Sequence, residues 1–303
     1  MENRIQMSSN TKGILLVMAS ALAVSNVYIF SKAALGEIHL AQFGTYWFGL
    51  GIIWNLLFIF IFKRNIDFRS IPHKSWWALL LIALLEMAGT TFFFLAINTV
   101  ENPAVVSFLA NINPLLVGLL GFLILKERFN KIEITGMAIT LLGAALISFK
   151  SKGSINHLFL PGTEYVFIAG IIYAFSNVVA KTQIKKIHTS ILALSRVVML
   201  FLLSLSGMVY LGLSFHIPQS AFGNIAIGSV LGPFLTATLG YLALKHIEIS
   251  KASMVGSIRS LFVLIGAYLY FGNFPTEIQI IGGVLTMSGV VLISLGKLRL
   301  TNK

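Results

Sequence analysis

The chain has no cysteine and one aspartate, Asp67, and only 11% of its 303 residues are charged. Without cysteine there are no disulfides and no thiolate metal sites. A single aspartate excludes a paired-aspartate intramembrane catalytic centre, and neither HExxH nor GxSxG occurs, so an enzyme is not expected. The phosphate-binding loop of ATPases is also missing, which argues against primary active transport by this chain, and no cofactor is implied.

Soluble domains carry about 25% charged residues. Here 57% of residues are hydrophobic, and a soluble protein of this length has nowhere to hide so much apolar surface. The composition points to a polytopic membrane protein. A formal net charge of +12 is not a nucleic-acid footprint, because the basic residues lie in short segments between apolar runs, as membrane topology requires.

An apolar helix of about 20 residues crosses the hydrocarbon core. Ten candidates run over 13–33, 41–62, 76–98, 103–125, 131–150, 162–182, 189–212, 221–244, 251–271 and 276–296. With the N-terminus in the cytoplasm, 17 of the 22 basic residues fall in cytoplasmic segments. Only Lys150 and Lys152 lie outside, while Lys32, Arg196 and Arg259 lie within spans. Both termini are therefore placed in the cytoplasm. The first run has the flavour of a signal peptide, but an internal repeat needs it as a permanent span.

That repeat is visible in several places. "IEITGMAITLLGAALIS" at 132–148 matches "IQIIGGVLTMSGVVLIS" at 278–294, pairing Gly136 with Gly282 and Gly143 with Gly289. "FLAINTVENPA" at 94–104 matches "YLALKHIEISKA" at 241–252, and "SNV" recurs at 25–27 and 176–178. The unit is five spans, which divides the chain into 1–150 and 151–303. Five is odd, so the halves are inverted. The basic loop "KERFNK" at 126–131 indeed answers "GNFPTE" at 272–277, which has no basic residue. Inverted repeats place a substrate near the bilayer midplane, with alternating exposure to either side. The expected fold is an all-α membrane protein of ten transmembrane helices in two inverted five-helix repeats.

Over its whole length the chain resembles the EamA family of the drug/metabolite transporter superfamily. The block "NINPLLVGLLGFLILKERFNKIEITGMAITLLGAALIS" at 111–148 carries the likeness, with Pro114, Glu127, Gly136 and Gly143, as do Asn26 to Lys32 in the first span. The second half departs from it, with Phe262 in place of the proline and Asn273 in place of the glutamate. The resemblance implies an exporter or facilitator of amino acids, metabolites or drugs.

Glu86 stands in the third span about 15 Å from Trp76, too deep to snorkel. It reads as a ligand for a substrate amine, as a proton-coupling site, or as a structural glutamate bonded to a neighbouring helix. Thr90 shares its face. Arg259 lies at similar depth in the ninth span, and the repeat pairs it with Asn111, while Glu86 is paired with Pro233. Glu86 and Arg259 together would bracket a zwitterion; the alternative is a plain ion pair. Arg196 reads as a snorkelling or helix-bonding residue. Asn26 and Asn177 are repeat mates, suited to interhelical bonds or to substrate. Asn111 shares a polar stripe with Ser107, Pro114 and Gly118. Ser253, Ser257 and Ser260 make another on the ninth span, on a different face from Arg259; the repeat favours the Arg259 face. The four repeat glycines are read as packing residues, Glu127 as a loop contact, and Pro114 and Pro233 as helix interrupters.

The expected function is secondary export of small polar metabolites such as amino acids. Alternatives are a lipid or lipid-linked-sugar flippase and a multidrug exporter. The expected partners are a small-molecule substrate and membrane lipids but no nucleic acid, with a homodimer left open. The expected location is the plasma membrane, which is the inner membrane in a Gram-negative cell.

Overall fold

A computed structural model describes residues 9–61, 73–125, 129–148, 160–183, 189–243, 246–247, 252 and 255–301. Among them every regular element is helical. The helices are α1 (Ser9–Leu35), α2 (Leu40–Ile61), α3 (His73–Thr99), α4 (Pro103–Leu109), α5 (Asn113–Leu125), α6 (Lys131–Ser148), α7 (Thr163–Gln183), α8 (Thr189–Tyr210), α9 (Gln219–Ser229), α10 (Ala237–Ala243), α11 (Arg259–Phe271) and α12 (Glu277–Thr301). Five stretches are long and apolar enough to cross a membrane: Ser9–Leu35, Leu40–Ile61, Ser75–Thr99, Lys131–Ser148 and Glu277–Gly296. Pro103–Val117, Leu194–Tyr210 and Arg259–Phe271 are shorter apolar helices. Glu127 and Ser253 lie outside the described residues.

The neighbour relations are those of two related halves. Helix α6 packs along α12, α2 along α8, and α4 against α11, each pairing one span of the first half with its counterpart in the second. Helix α3 packs on α7, and the stretch from α9 to α10 packs on α1. The α6–α12 crossing depends on the repeat glycines. A Cβ on Gly136 would stand 2.7 Å from the Gly289 carbonyl oxygen, and one on Gly143 would stand 2.6 Å from that of Gly282. Any side chain there would force the helices apart, so the glycines are packing residues. Matching capping boxes start the two helices. Asn130 and Glu133 exchange bonds at 2.9 Å, and Thr276 and Gln279 exchange them at 3.0 and 3.4 Å.

Three spans are interrupted. Pro114 has no N–H to give the Ala110 carbonyl, and the chain tightens into a 3-10 turn at Ala110–Ile112 before α5 begins. Pro233 sits inside a π-helical stretch, Val230–Thr236, between α9 and α10. Side chains service that break: Asn55 donates to the Gly51 carbonyl and, at 3.4 Å, to that of Pro233, while Ser20 donates to Thr236. In the ninth span the chain turns at 257–258 and resumes as α11.

The end of the bundle that carries residues 36–39, 100–102 and 272–276 is its upper end, where ring packing and side-chain bonds join the helices. The rings of Tyr28, Phe43, Trp47, Phe48, Phe93 and Phe94 pack edge-on or tilted in one cluster. Lys32 Nζ donates to the Asn98 and Val100 carbonyls, both at 2.8 Å, tying α1 to the end of α3. Gln42 donates to Ser214 and Asn102 to Asn273, joining the first half to the second. In α1 the buried residues crowd toward that end.

Gly143→Ala should cost about 1–3 kcal/mol by overpacking the α6–α12 crossing. Gly223 has nothing within 4 Å of an added Cβ, so Gly223→Ala should stabilise its helix slightly. Thermal unfolding midpoints of the two variants in detergent should move in opposite directions.

Candidate functional site

Helices α3, α7 and α8 bring a polar cluster together midway along the bundle. Glu86 and Thr90 are one turn apart on α3, and Tyr173 and Ser176 lie on one turn of α7. Arg196 reaches across from α8. Its Nε stands 3.1 Å from Glu86 Oε2, and its Nη2 donates to Thr90 Oγ1 at 3.2 Å. Ser176 Oγ donates to Glu86 Oε1 at 2.7 Å. Thr90, itself buried, shares a 3.0 Å bond with the Tyr173 hydroxyl. The Glu86 side chain is 15% exposed and that of Arg196 40%. The carboxylate is thus mostly covered by its neighbours and the guanidinium only in part.

The chain of contacts continues toward α1 and α11. Tyr28 of α1 packs edge-on against Phe93 of α3, and α1 also packs on α11, whose first residue is Arg259. Arg259 Nη2 is 3.4 Å from the Ala110 carbonyl oxygen, a long contact, and Arg259 Nε is buried with no hydrogen-bond partner. Nearby, Asn111 Nδ2 donates to Ser260 Oγ at 3.1 Å, and Ser260 Oγ donates to the Ser107 carbonyl at 3.1 Å. The buried side-chain atoms without a partner among the described residues are Ser107 Oγ, Asn113 Oδ1 and Arg259 Nε. All three belong to the interrupted stretches 103–125 and 255–271.

The structure sorts the residues expected from sequence. Glu86 and Thr90 sit together, as their spacing predicts, but the guanidinium against Glu86 is Arg196, not Arg259. Residue depth along a helix says nothing about which way a long side chain turns. Arg196 reaches the carboxylate because α8 packs against α3. Asn111 lies within the 4–9 crossing, bonded to Ser260, so the serine face of the ninth span is turned into the protein there. Arg259 lies beside it, partly buried. Asn26 is half-buried and bonds the Leu22 carbonyl of its own helix, whereas Asn177 is exposed. The repeat mates Ser25 and Ser176 differ in the same way. Ser176 bonds Glu86, while Ser25, for which the opposite half offers Pro233 in place of an acid, turns back to its own Leu22 carbonyl. Tyr173 and Ser176 were not legible as site residues. A tyrosine in an apolar span is an ordinary packing residue until its neighbours are known.

The described residues hold no group of three or more His, Cys, Asp or Glu able to bind a metal.

Comparison with known proteins follows the same lines. The model of the EamA-like transporter family matches residues 11–149 and again 160–295. The uncharacterized transporter YyaM of Bacillus subtilis (strain 168) is 24% identical over 290 residues, 92% of each chain. An uncharacterized transporter of Archaeoglobus fulgidus is 25% identical over 307 residues, 93% of this chain and 97% of its own. A protein crystal structure 17% identical in sequence shares the fold with a TM-score of 0.66, over 96% of this chain and 99% of that one.

The Glu86–Arg196 pair predicts a measurable coupling. In a cycle of Glu86→Gln, Arg196→Gln and the double variant, unfolding in detergent should give a coupling of about 0.5–3 kcal/mol. Half-exposure of Arg196 keeps it below the value of a fully buried pair. Strictly additive losses would show that the two side chains act separately.

Proposed function

The chain belongs to the EamA-like transporter family and is a multi-pass membrane transporter; from that premise we propose that it is a secondary carrier exporting small polar metabolites, amino acids among them. In this reading ten spans form two inverted repeats, residues 1–150 and 151–303, with both termini in the cytoplasm of a plasma-membrane protein. It carries its substrate unchanged and performs no chemistry on it. Residues Glu86, Thr90, Asn111, Asn26, Asn177 and Arg259 are the proposed substrate contacts, and Arg196 joins them as the partner of Glu86.

One observation carries the proposal: unlike charges and hydroxyls converge midway along an otherwise apolar bundle, drawn from both halves. Polar groups at that depth are expensive, and the usual reason for keeping them is a substrate or ion path. The aromatic cluster and cross-half bonds at the upper end fit alternating access, in which a carrier seals one side while its site faces the other. Glu86 is also the candidate for proton coupling. In that role a proton and Arg196 would compete for the carboxylate during the cycle, and release of Arg196 would loosen α8 from α3.

Sidedness has a direct test, since the chain has no cysteine. Gln219→Cys should react with an impermeant maleimide added outside intact cells, and Lys131→Cys only after permeabilisation. The reverse pattern would overturn the orientation.

Transport is tested in proteoliposomes across a panel of amino acids, carboxylates, amines, nucleosides and lipids. At least one small polar solute should exchange, and movement of lipid alone would replace this reading with a flippase. If coupling runs through Glu86, a pH gradient should drive uptake by the parent protein, while Glu86→Gln should retain exchange and lose the drive.

A further inference from the structure

Three charges stand in the middle of the bundle: Glu86, Arg196 and Arg259. Glu86 and Arg196 neutralise each other, and the second carboxylate oxygen of Glu86 is taken by Ser176. Arg259 has no carboxylate within ion-pair distance among the described residues. The other described glutamates are engaged elsewhere. Glu37 accepts a bond from Ser220, Glu133 closes the α6 cap, Glu164 accepts from the Gly162 amide, Glu101 neighbours Lys32, and Glu277 opens α12. Among the described residues the interior therefore carries one positive charge over, on a guanidinium whose Nε is buried and without a hydrogen-bond partner. Such a charge in a weakly polar interior is costly until something opposes it.

Resting on the transport reading above, we infer that Arg259 is a single-anion subsite, and that the substrates are small organic monoanions held by their carboxylate, in preference to zwitterions or amines. A guanidinium presents paired donors that match the two oxygens of a carboxylate. The helix start at α11 adds no free amides, because the N–H groups of Ser260, Leu261 and Phe262 already bond Ser257 and Ile258. Binding thus falls to the side chain. One bound carboxylate brings the interior charge to zero. A zwitterion brings an ammonium as well, and the acid that would receive it is already committed to Arg196. An amine adds a second unopposed cation. The first half supplies no competing anion site, since the repeat mate of Arg259 is the neutral Asn111, bonded to Ser260.

The test uses the full chain with three solutes of one size: lactate, alanine and 1-amino-2-propanol. Thermal unfolding in detergent reports binding, and proteoliposome exchange reports transport. Lactate should stabilise the parent protein and be exchanged, with alanine weaker and the amino alcohol without effect. Arg259→Gln should weaken lactate binding by tenfold to a hundredfold, as loss of a charged hydrogen bond implies, and Arg259→Lys should recover part of it. The ligand-free Arg259→Gln protein should be no less heat-stable than the parent, because the variant removes an unopposed charge. A lower melting point without ligand would make Arg259 structural, and an equal or stronger response to alanine or the amino alcohol would refute the single-anion site. Stabilisation by none of the three, with exchange of some other uncharged or cationic solute, would refute it as well. Failure of every solute in the wider panel to exchange would instead remove the transport reading.

Discussion

A charged side chain midway through a hydrocarbon layer needs an opposing group, and the one that opposes Glu86 sets the character of the interior. Arg196 crosses from α8 to α3 to make that pair, and Ser176 closes it from α7. Thr90 and Tyr173 extend the network by a hydroxyl each. Three helices are held at one level by these bonds. Because one acid is spent on one base, the remaining base, Arg259, is left with a long contact to a carbonyl. The net charge of this cluster follows from that sum and not from either charge alone.

Around the network the helices divide into two kinds. Helices α6 and α12 run unbroken, cross at the four repeat glycines and begin with matching capping boxes. Backbones in such close contact make a stiff crossing. Three other stretches are interrupted, at 110–112, 230–236 and 257–258. Broken helices in membranes persist only where neighbours satisfy the freed backbone groups, and here Asn55 and Ser20 do so. Stiff spans brace the halves, and the interrupted ones carry the unpaired polar atoms.

Much of this was readable from the chain. The glycine register predicted a close crossing because Gly136, Gly143, Gly282 and Gly289 recur at helical spacing in two matching segments. Pro114 and Pro233 predicted interruptions because an imino acid cannot donate to the helix ladder. Thr90 shares the face of Glu86 because four residues make one turn. Pairing Glu86 with Arg259 rested on equal depth and repeat position, and depth constrains one coordinate of three. Arg196 was readable as a snorkelling or helix-bonding residue, and it does the second, because α8 lies against α3 and a carboxylate is within reach of its long stem.

The sequence by itself determined the membrane class, the helical content and the kinship of the two halves, since hydropathy, helical period and internal repetition are local properties of a chain. Which arginine opposes Glu86, which tyrosines join the network and which cation is left over were decided only by the tertiary structure. Those are distances between side chains on helices far apart in the chain, and no local pattern encodes them.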